Sequence, residues 1–320
     1  MKDLFKLAEV LAIALIAAAC TPKNTTTAAG PMTTPQSGVD GSVSLSDFQN
    51  VPPVVSEDDF TVEIIDVRGL GLELEYGIKI TGYKGSDRDI IIPSQIKGLY
   101  VTHIGEWTFR GKQLNSVTIP DKVISIGSGA FYENQLTSIT IPDSVMAIGY
   151  HAFGENQLNS VVIPDSVDSI GYSAFSGNKL TKVVIPDSVT EIGSSAFANN
   201  QLTSVTIPNS IAFIDQQTFS GNKLTSVTIP DSVTEIGNGA FANNQLTSIT
   251  IRNSVTEIGE EAFANNKLTS IYIPDSVTKI GAQAFAGNPL TMINIGNNGE
   301  PEVGWNAFEN EYIDRWEPGG

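Results

Sequence analysis

One spacing constrains this chain more than any other feature. Leucine recurs every 22 residues, at Leu114, Leu136, Leu158, Leu180, Leu202, Leu224, Leu246, Leu268 and Leu290. Phenylalanine keeps the same step from Phe109 through Phe131, Phe153, Phe175, Phe197, Phe219, Phe241, Phe263 and Phe285. It recurs once more at Phe308 after a one-residue insertion, so the file takes ten of the 14 phenylalanines. Asparagine holds a third file without exception: Asn134, Asn156, Asn178, Asn200, Asn222, Asn244, Asn266 and Asn288. A fixed step of this length means stacked, equivalent coils, a solenoid in which each coil buries its apolar face only against its neighbours. Eight full units run from 114 to 289, with a degenerate unit on either side.

The unit that begins at Leu224 shows what each position does. Leu224, Val227 and Ile229 alternate with Ser226 and Thr228, which predicts a short strand with its apolar side chains inward. Pro230 ends the strand because it cannot donate a ladder hydrogen bond, and Asp231 and Ser232 are turn formers. Val233 and Ile236 return to the core, and Gly237 is expected to permit a sharp bend. Ala240 and Phe241 are expected on a single helical or 3₁₀ turn on the convex side. For Asn244 two roles stay open: a left-handed turn residue, or one rung of an amide ladder bonding between coils. The fold class is therefore an α/β repeat solenoid.

Outside the repeats the composition changes twice. Residues 1–19 carry Lys2 and Lys6, then an apolar run from Leu7 to Ala19 broken only by Glu9, the pattern of a secretory signal peptide. Ala17-Ala18-Ala19-Cys20 closes that run and resembles the lipobox of bacterial lipoproteins, which implies lipid attachment at Cys20. Residues 20–59 are rich in Thr, Pro, Gly, Ser and Ala and read as a disordered tether. Its r.m.s. span is roughly 35 Å for a flexible coil of that length. Residues 60–89 read as a β-rich N-terminal cap: Phe60 to Ile65 and Leu72 to Ile80 alternate like strands, and Gly82-Tyr83-Lys84-Gly85 reads as a turn. The repeats occupy 90–311, and 312–320 is a short tail. The tryptophans, Trp107, Trp305 and Trp316, fall in the end units or the tail. With Phe308 and Tyr312 they are expected to plug the open ends of the core.

Composition narrows the function. There are 35 acidic against 18 basic residues, a formal net charge of −17, which argues against a nucleic-acid partner. With one cysteine and two histidines, His103 and His151, neither an intramolecular disulfide nor a Cys/His zinc site can be built. The two histidines are expected to be surface or cap residues, and the repeat places no nucleophile beside them. The Asp file at 121, 143, 165, 187, 231 and 275 is interrupted by Asn209 and Asn253 and reads as turn chemistry, not calcium binding. No cofactor and no metal are expected, and the chain reads as non-enzymatic.

The repeated pattern LxxLxIPxxVxxIGxxAFxxN resembles the BspA-like leucine-rich repeats of bacterial surface antigens. So does the lead-in Ile92-Pro93 followed by Tyr100-Val101-Thr102-His103-Ile104-Gly105. The resemblance covers about residues 60–311, with Asp215 in place of Gly, Thr218 in place of Ala and Arg252 in place of Pro as its departures. It implies a right-handed superhelix with a parallel β-sheet on the concave face. It also implies an exported bacterial cell-envelope protein, anchored by lipid at the outer surface, that mediates adhesion through protein–protein contacts. Matrix proteins such as fibronectin and fibrinogen, or other cells, are the partners implied. The alternatives are an envelope protein that only extends and shields, and, with less support, an enzyme.

The candidate binding surface is the concave face, made by the outward side of the LxxLxI strands. Its files are mostly Ser and Thr, as at Ser226 and Thr228, and offer little to discriminate one partner from another. Specific affinity concentrates in a few large anchors. Tyr272 and Met292, on successive strands, and Lys182 flanked by Val162 and Val184, are the outward positions of that kind.

Overall fold

The computed structural model describes residues 56–296 and 301–308. The signal segment with Cys20, most of the Thr/Pro-rich tract, and the tail with Tyr312 and Trp316 lie outside the described residues. A 3₁₀ turn, Glu57–Asp59, capped by the Ser56 side chain, leads into the first strand. Strand β1, Phe60–Asp66, then pairs antiparallel with β2, Tyr76–Tyr83. The second strand thus starts at Tyr76 rather than Leu72, and it includes the Gly82 and Tyr83 expected in a turn. Gly69 and Gly71, both with positive φ, turn the chain before it.

Beyond β2 the molecule is a stack of coils with two parallel ladders, not one. The first contains the expected LxxLxI strands. Asp89–Ile91 pairs with Ser116–Thr118, Ser160–Val162 with Lys182–Val184, Ser226–Thr228 with Ser248–Thr250, and Ser270–Ile273 with Met292–Ile295. The second ladder was not legible as a strand in the repeat. It starts on β2, takes in Leu99–Ile104, and continues through Ser125–Ile126, Ala147–Ile148, Ser169–Ile170 and Glu191–Ile192. It resumes at Phe213–Ile214 and runs through Glu235–Ile236, Glu257–Ile258 and Lys279–Ile280 to Glu302–Val303.

The glycine after each of these Ile residues explains the second ladder. Gly127, Gly149, Gly171 and Gly193 each donate to the Ile carbonyl of the preceding coil at 2.8 Å. A Cβ there would lie 2.6–2.9 Å from that coil's backbone. None of the four has a positive φ, so glycine is required by close approach between coils, not by a sharp bend.

The expected helical or 3₁₀ turn at the Ala-Phe pair does not form. Amides there alternate between partners: Ala152 N–H donates within its own turn, to Gly149 at 3.2 Å, while Phe153 N–H donates to Ala174 of the next coil at 2.8 Å. His151, whose N–H donates to Tyr172 of the next coil at 2.7 Å, opens this alternation with φ 55, and its equivalents Trp107, Gly129, Ser173, Ser195, Gln217, Gly239, Glu261 and Gln283 are left-handed as well. A left-handed residue before each Ala-Phe pair stops any helix from propagating, and every second amide turns toward the neighbouring coil.

Two files run through the core. The Phe rings from Phe109 to Phe308 stack with centroids 5.1–5.9 Å apart and planes within 15° of parallel. Phe60 and Tyr83 close the N-terminal end of that stack, at 6.4 and 5.6 Å from Phe109. Trp107 and Trp305 plug neither end: both rings are exposed, Trp305 by 76%. The Asn file is the amide ladder. Asn178 donates to the Phe153 carbonyl of the coil before (2.9 Å) and to Phe175 (3.1 Å), and it accepts from Leu158 N–H (3.0 Å). The left-handed residue is the one before, as at Gly177, Glu155 and Asn199.

The departures from the repeat differ in effect. Arg252 keeps the turn that Pro makes elsewhere, accepting from Val255 N–H at 3.1 Å, and lies 3.7 Å from Asp231. Asp215 has a larger effect. It brings a Cβ to the position where glycine lets coils touch, and the ladder breaks there: Glu191–Ile192 and Phe213–Ile214 belong to separate sheets. Phe197 and Phe219 also show the widest spacing of the ring stack, 5.9 Å, whereas the first ladder forms no strand either here at Ser204–Thr206 or at Ser138–Thr140, away from Asp215. The opposite side of the coil stays closed, with Phe197 N–H to Thr218 at 3.0 Å and Leu202 N–H to Asn222 at 3.0 Å. The solenoid therefore carries a one-sided seam.

Candidate functional site

The first-ladder face holds the residues singled out from the repeat. Alternation sends Val117, Val161, Val183, Val227 and Ile271 into the core and their neighbours to solvent. Val162 is 77% exposed and sits opposite Val184, while Lys182 sits opposite Ser160. Tyr272 is 52% and Met292 59% exposed. Met292 pairs with Ser270 and Tyr272 with Asn294, so the two large side chains are diagonal neighbours on adjacent strands, within reach of each other. The structure thus forms two clusters, Tyr272 with Met292 and Lys182 with Val162 and Val184. They stand four periods apart (Lys182 to Ser270 is 88 residues).

The recessed surface follows the second ladder. An open groove of about 420 Å³ crosses its N-terminal rungs over a floor of Ser125, Ala147 and Ser169, with Tyr150 and Tyr172 on its wall. A second groove, of about 930 Å³, is lined by Glu191, Phe213, Asp215, Glu235, Glu257 and Lys279. Both grooves touch Glu191 and Asp215, so they adjoin at the seam. The outward slot before each core Ile changes character there, from small and half-buried at Ser125, Ala147 and Ser169 to large, exposed and mostly acidic from Glu191 onward. Sequence reasoning that followed only the LxxLxI strand missed this face. Its signal was the slot itself, read at 22-residue steps, in which Phe213 interrupts a run of Glu.

A third feature surrounds the left-handed file near the N-terminal end. The Trp107 ring lies over Gly129, where any Cβ would collide with it. It sits 6.1 Å from Tyr132, and His151 lies 5.3 Å from Tyr132 and 4.9 Å from Tyr172. Arg110 covers the Trp107 and Tyr132 rings at 5.2 and 5.4 Å and pairs with Glu133 at 3.2 Å. Burial, then the nearby Arg110 charge, lowers the His151 pKa. His103 lies on the second ladder opposite Ser125, its Nδ1 3.0 Å from the Thr102 hydroxyl. Burial, then the Lys79 charge, lowers its pKa to about 4. These rings meet mostly edge to face, with no nucleophile among them. The Asp file is exposed, and no group of three or more acidic, His or Cys side chains among the described residues could hold a metal ion. Nor is any helix among them long and apolar enough to cross a membrane.

Comparison with known proteins decides the family. The BspA-type leucine-rich repeat region matches residues 88–202 and 190–314, most of the chain, in six copies. The protein belongs to that family. Its fold is similar to a leucine-rich repeat protein from Bacteroides ovatus, at 28% identity and a TM-score of 0.67, over 81% of this chain and 68% of that one. A leucine-rich repeat protein from Eubacterium ventriosum is 24% identical with a TM-score of 0.50, over 71% of this chain and 68% of that one, a likeness of fold alone. No curated protein matches. The BspA-type repeats form parallel solenoids suited to protein–protein interaction, and the match points to no catalytic family.

Proposed function

We propose that this protein is an exported, lipid-anchored surface module that adheres to a protein partner through the outward face of its first ladder. One observation carries the reading. On a face made mostly of Ser and Thr, the two large exceptions toward the C-terminal end, Tyr272 and Met292, stand exposed beside each other on adjacent strands. Large side chains ringed by near-neutral contacts are what interface hot spots are built from. Lys182, with Val162 and Val184, supplies a second contact for a partner extended along the stack. Matrix proteins of the fibronectin or fibrinogen kind, or proteins of other cells, suit such a face. Cys20 carries the lipid, and the tract behind it holds the solenoid clear of the membrane.

The test is binding of the full chain to immobilised fibronectin and fibrinogen. Saturable binding is expected, and Tyr272→Ala should weaken it by at least about 2 kcal/mol, some thirty-fold, with unchanged thermal stability. Lys182→Ala should lose less, and its share should fade as salt rises, because the site is exposed. Binding untouched by both substitutions would show the first-ladder face to be scaffold, and no saturable binding at all would favour a purely shielding role. Cys20→Ala should release the protein from the membrane into the aqueous phase on detergent partition.

A further inference from the structure

The seam is where the repeat stops serving its own packing. In the regular part of the second ladder each coil donates two bonds to the one before, as Thr190 N–H does to Asp168 (2.8 Å) and Gly193 N–H to Ile170 (2.8 Å). The equivalent bonds, from residues 212 and 215 to the carbonyls of Thr190 and Ile192, are absent among the described residues. The seam therefore presents a sheet edge inside the groove, with two backbone acceptors turned toward a gap. Beside it stands Phe213, 57% exposed, on the outward slot of the next rung. A phenylalanine at a solvent-facing slot adds nothing to the ring stack or the core.

Charge identifies the occupant. The slot carries Glu191 on one side of the seam and Glu235 and Glu257 on the other, with Asp215 between them and Glu260 on the same lining. Lys279 is the one cation of that lining, and it pairs with Glu257 at 3.5 Å. Glu235 and Glu257 face each other across adjacent rungs, a repulsive register that a bound cation relieves. Exposed carboxylates, edge carbonyls and an aromatic ring share one need: hydrogen-bond donors with positive charge, and an apolar or guanidinium surface to lay on the ring.

We propose that the groove at the seam docks an extended, Lys- and Arg-bearing protein segment, which lays an aromatic or Arg side chain on Phe213 and donates to the carboxylates and edge carbonyls around it. The groove lies on the second ladder, apart from Tyr272 and Met292 on the first, so this site does not depend on the adhesion reading above. The chain's overall negative charge draws any basic ligand, and the test has to separate that general pull from a built site.

The probe is a fluorescent 12-residue peptide of alternating Arg and Ser with one central Trp, titrated with the full chain. A counterpart with Glu in place of Arg serves as the control. The Arg peptide is expected to bind and the Glu peptide not. Glu235→Gln with Glu257→Gln should weaken the Arg peptide at least about tenfold, whereas Asp143→Asn with Asp165→Asn, the same charge removed from the exposed turn file, should change it less than about twofold. Phe213→Ser should cost at least about fivefold even at 300 mM salt, where exposed charges are screened. All these positions are exposed, so the variants should retain the fold, which circular dichroism checks; should the double variant unfold, Glu191→Gln repeats the charge test. Equal losses from the two double variants would mean attraction to net charge only and would overturn the site, as would a Phe213→Ser variant that binds as well as the wild type.

Discussion

Replacing Asn178 by Ala tests what holds one coil to the next. Asn178 is 6% exposed, and its amide serves four backbone groups of two coils: it donates to Phe153 (2.9 Å), Phe175 (3.1 Å) and Ser176 (3.3 Å) and accepts from Leu158 N–H (3.0 Å). Truncation leaves the buried Leu158 N–H without its acceptor, while the Phe153 and Phe175 carbonyls keep their bonds from Asn156 (3.2 Å) and Asn200 (2.9 Å). An orphaned buried group costs about 1–3 kcal/mol, so Asn178→Ala should cost about 1–3 kcal/mol. Water does not repair the loss cheaply, because the site lies against the Phe153–Phe175 stack. Asn178→Asp keeps the acceptor but loses the donor and buries a charge, and should destabilise at least as much. Urea denaturation of the full chain, followed by far-UV circular dichroism, reads the change. Ser226→Ala, at an exposed first-ladder slot, should stay within about 0.5 kcal/mol and serves as the reference. A loss below about 1 kcal/mol for Asn178→Ala would refute the amide ladder as a structural element and leave the ring stack and the backbone bonds of the two ladders to tie the coils.

Two further outcomes follow from the same geometry. Phe197→Ala removes a ring stacked on both sides, against Phe175 at 5.5 Å and Phe219 at 5.9 Å, and should cost about 3–5 kcal/mol. Among the described residues Phe308 has a ring neighbour on one side, Phe285 at 5.4 Å, so Phe308→Ala should cost clearly less; equal losses in chemical denaturation would contradict one-dimensional stacking. His103, with its pKa lowered to about 4, binds a proton less readily in the folded chain than the ordinary imidazole near 6.5. Its stability contribution is therefore complete above about pH 6.5 and is lost as pH falls toward 4, by about 2–3 kcal/mol at pH 4.5. The difference in urea midpoint between wild type and His103→Gln should shrink by that amount between pH 7.5 and 4.5, and a constant difference would remove His103 as its cause.

What could be read from the residues, and what could not, divides along one line. Positions that recur with the period were legible: the Leu, Phe and Asn files name the core and the coil length, because each coil meets the same environment as the last. Backbone geometry inside a coil was not. The Ala-Phe pair looks like the start of a helical turn, yet the left-handed residue before it is as varied as Trp107, His151, Ser195 and Glu261, so no side chain announces the conformation. The glycine after each core Ile was visible but its reason was inverted. A bend and a close approach both demand glycine, and only the coil packed behind it tells them apart. That misreading hid the second ladder and, with it, the grooves.

It also hid the meaning of Asp215. If glycine there served only a bend, aspartate would be a mild substitution. Since glycine serves contact, a Cβ at this one position separates two rungs, exposes an edge and opens the groove that Phe213 and the glutamates line. The seam leaves the core intact, because the Phe and Asn files and the bonds at the Ala-Phe turn cross it unbroken. A solenoid of near-identical coils has no intrinsic place for a site: whatever one coil offers, its neighbours offer too. Selectivity along such a stack must come from positions that break the repeat without breaking the stack. Asp215 with Phe213 does so on the second ladder, and Tyr272 with Met292 does so on the first. The first pair alters the backbone and the second only the side chains. Restoring the repeat at Asp215→Gly should therefore rejoin the ladder and close the groove while leaving the Tyr272–Met292 patch untouched, whereas Tyr272→Ala should leave the seam as it is.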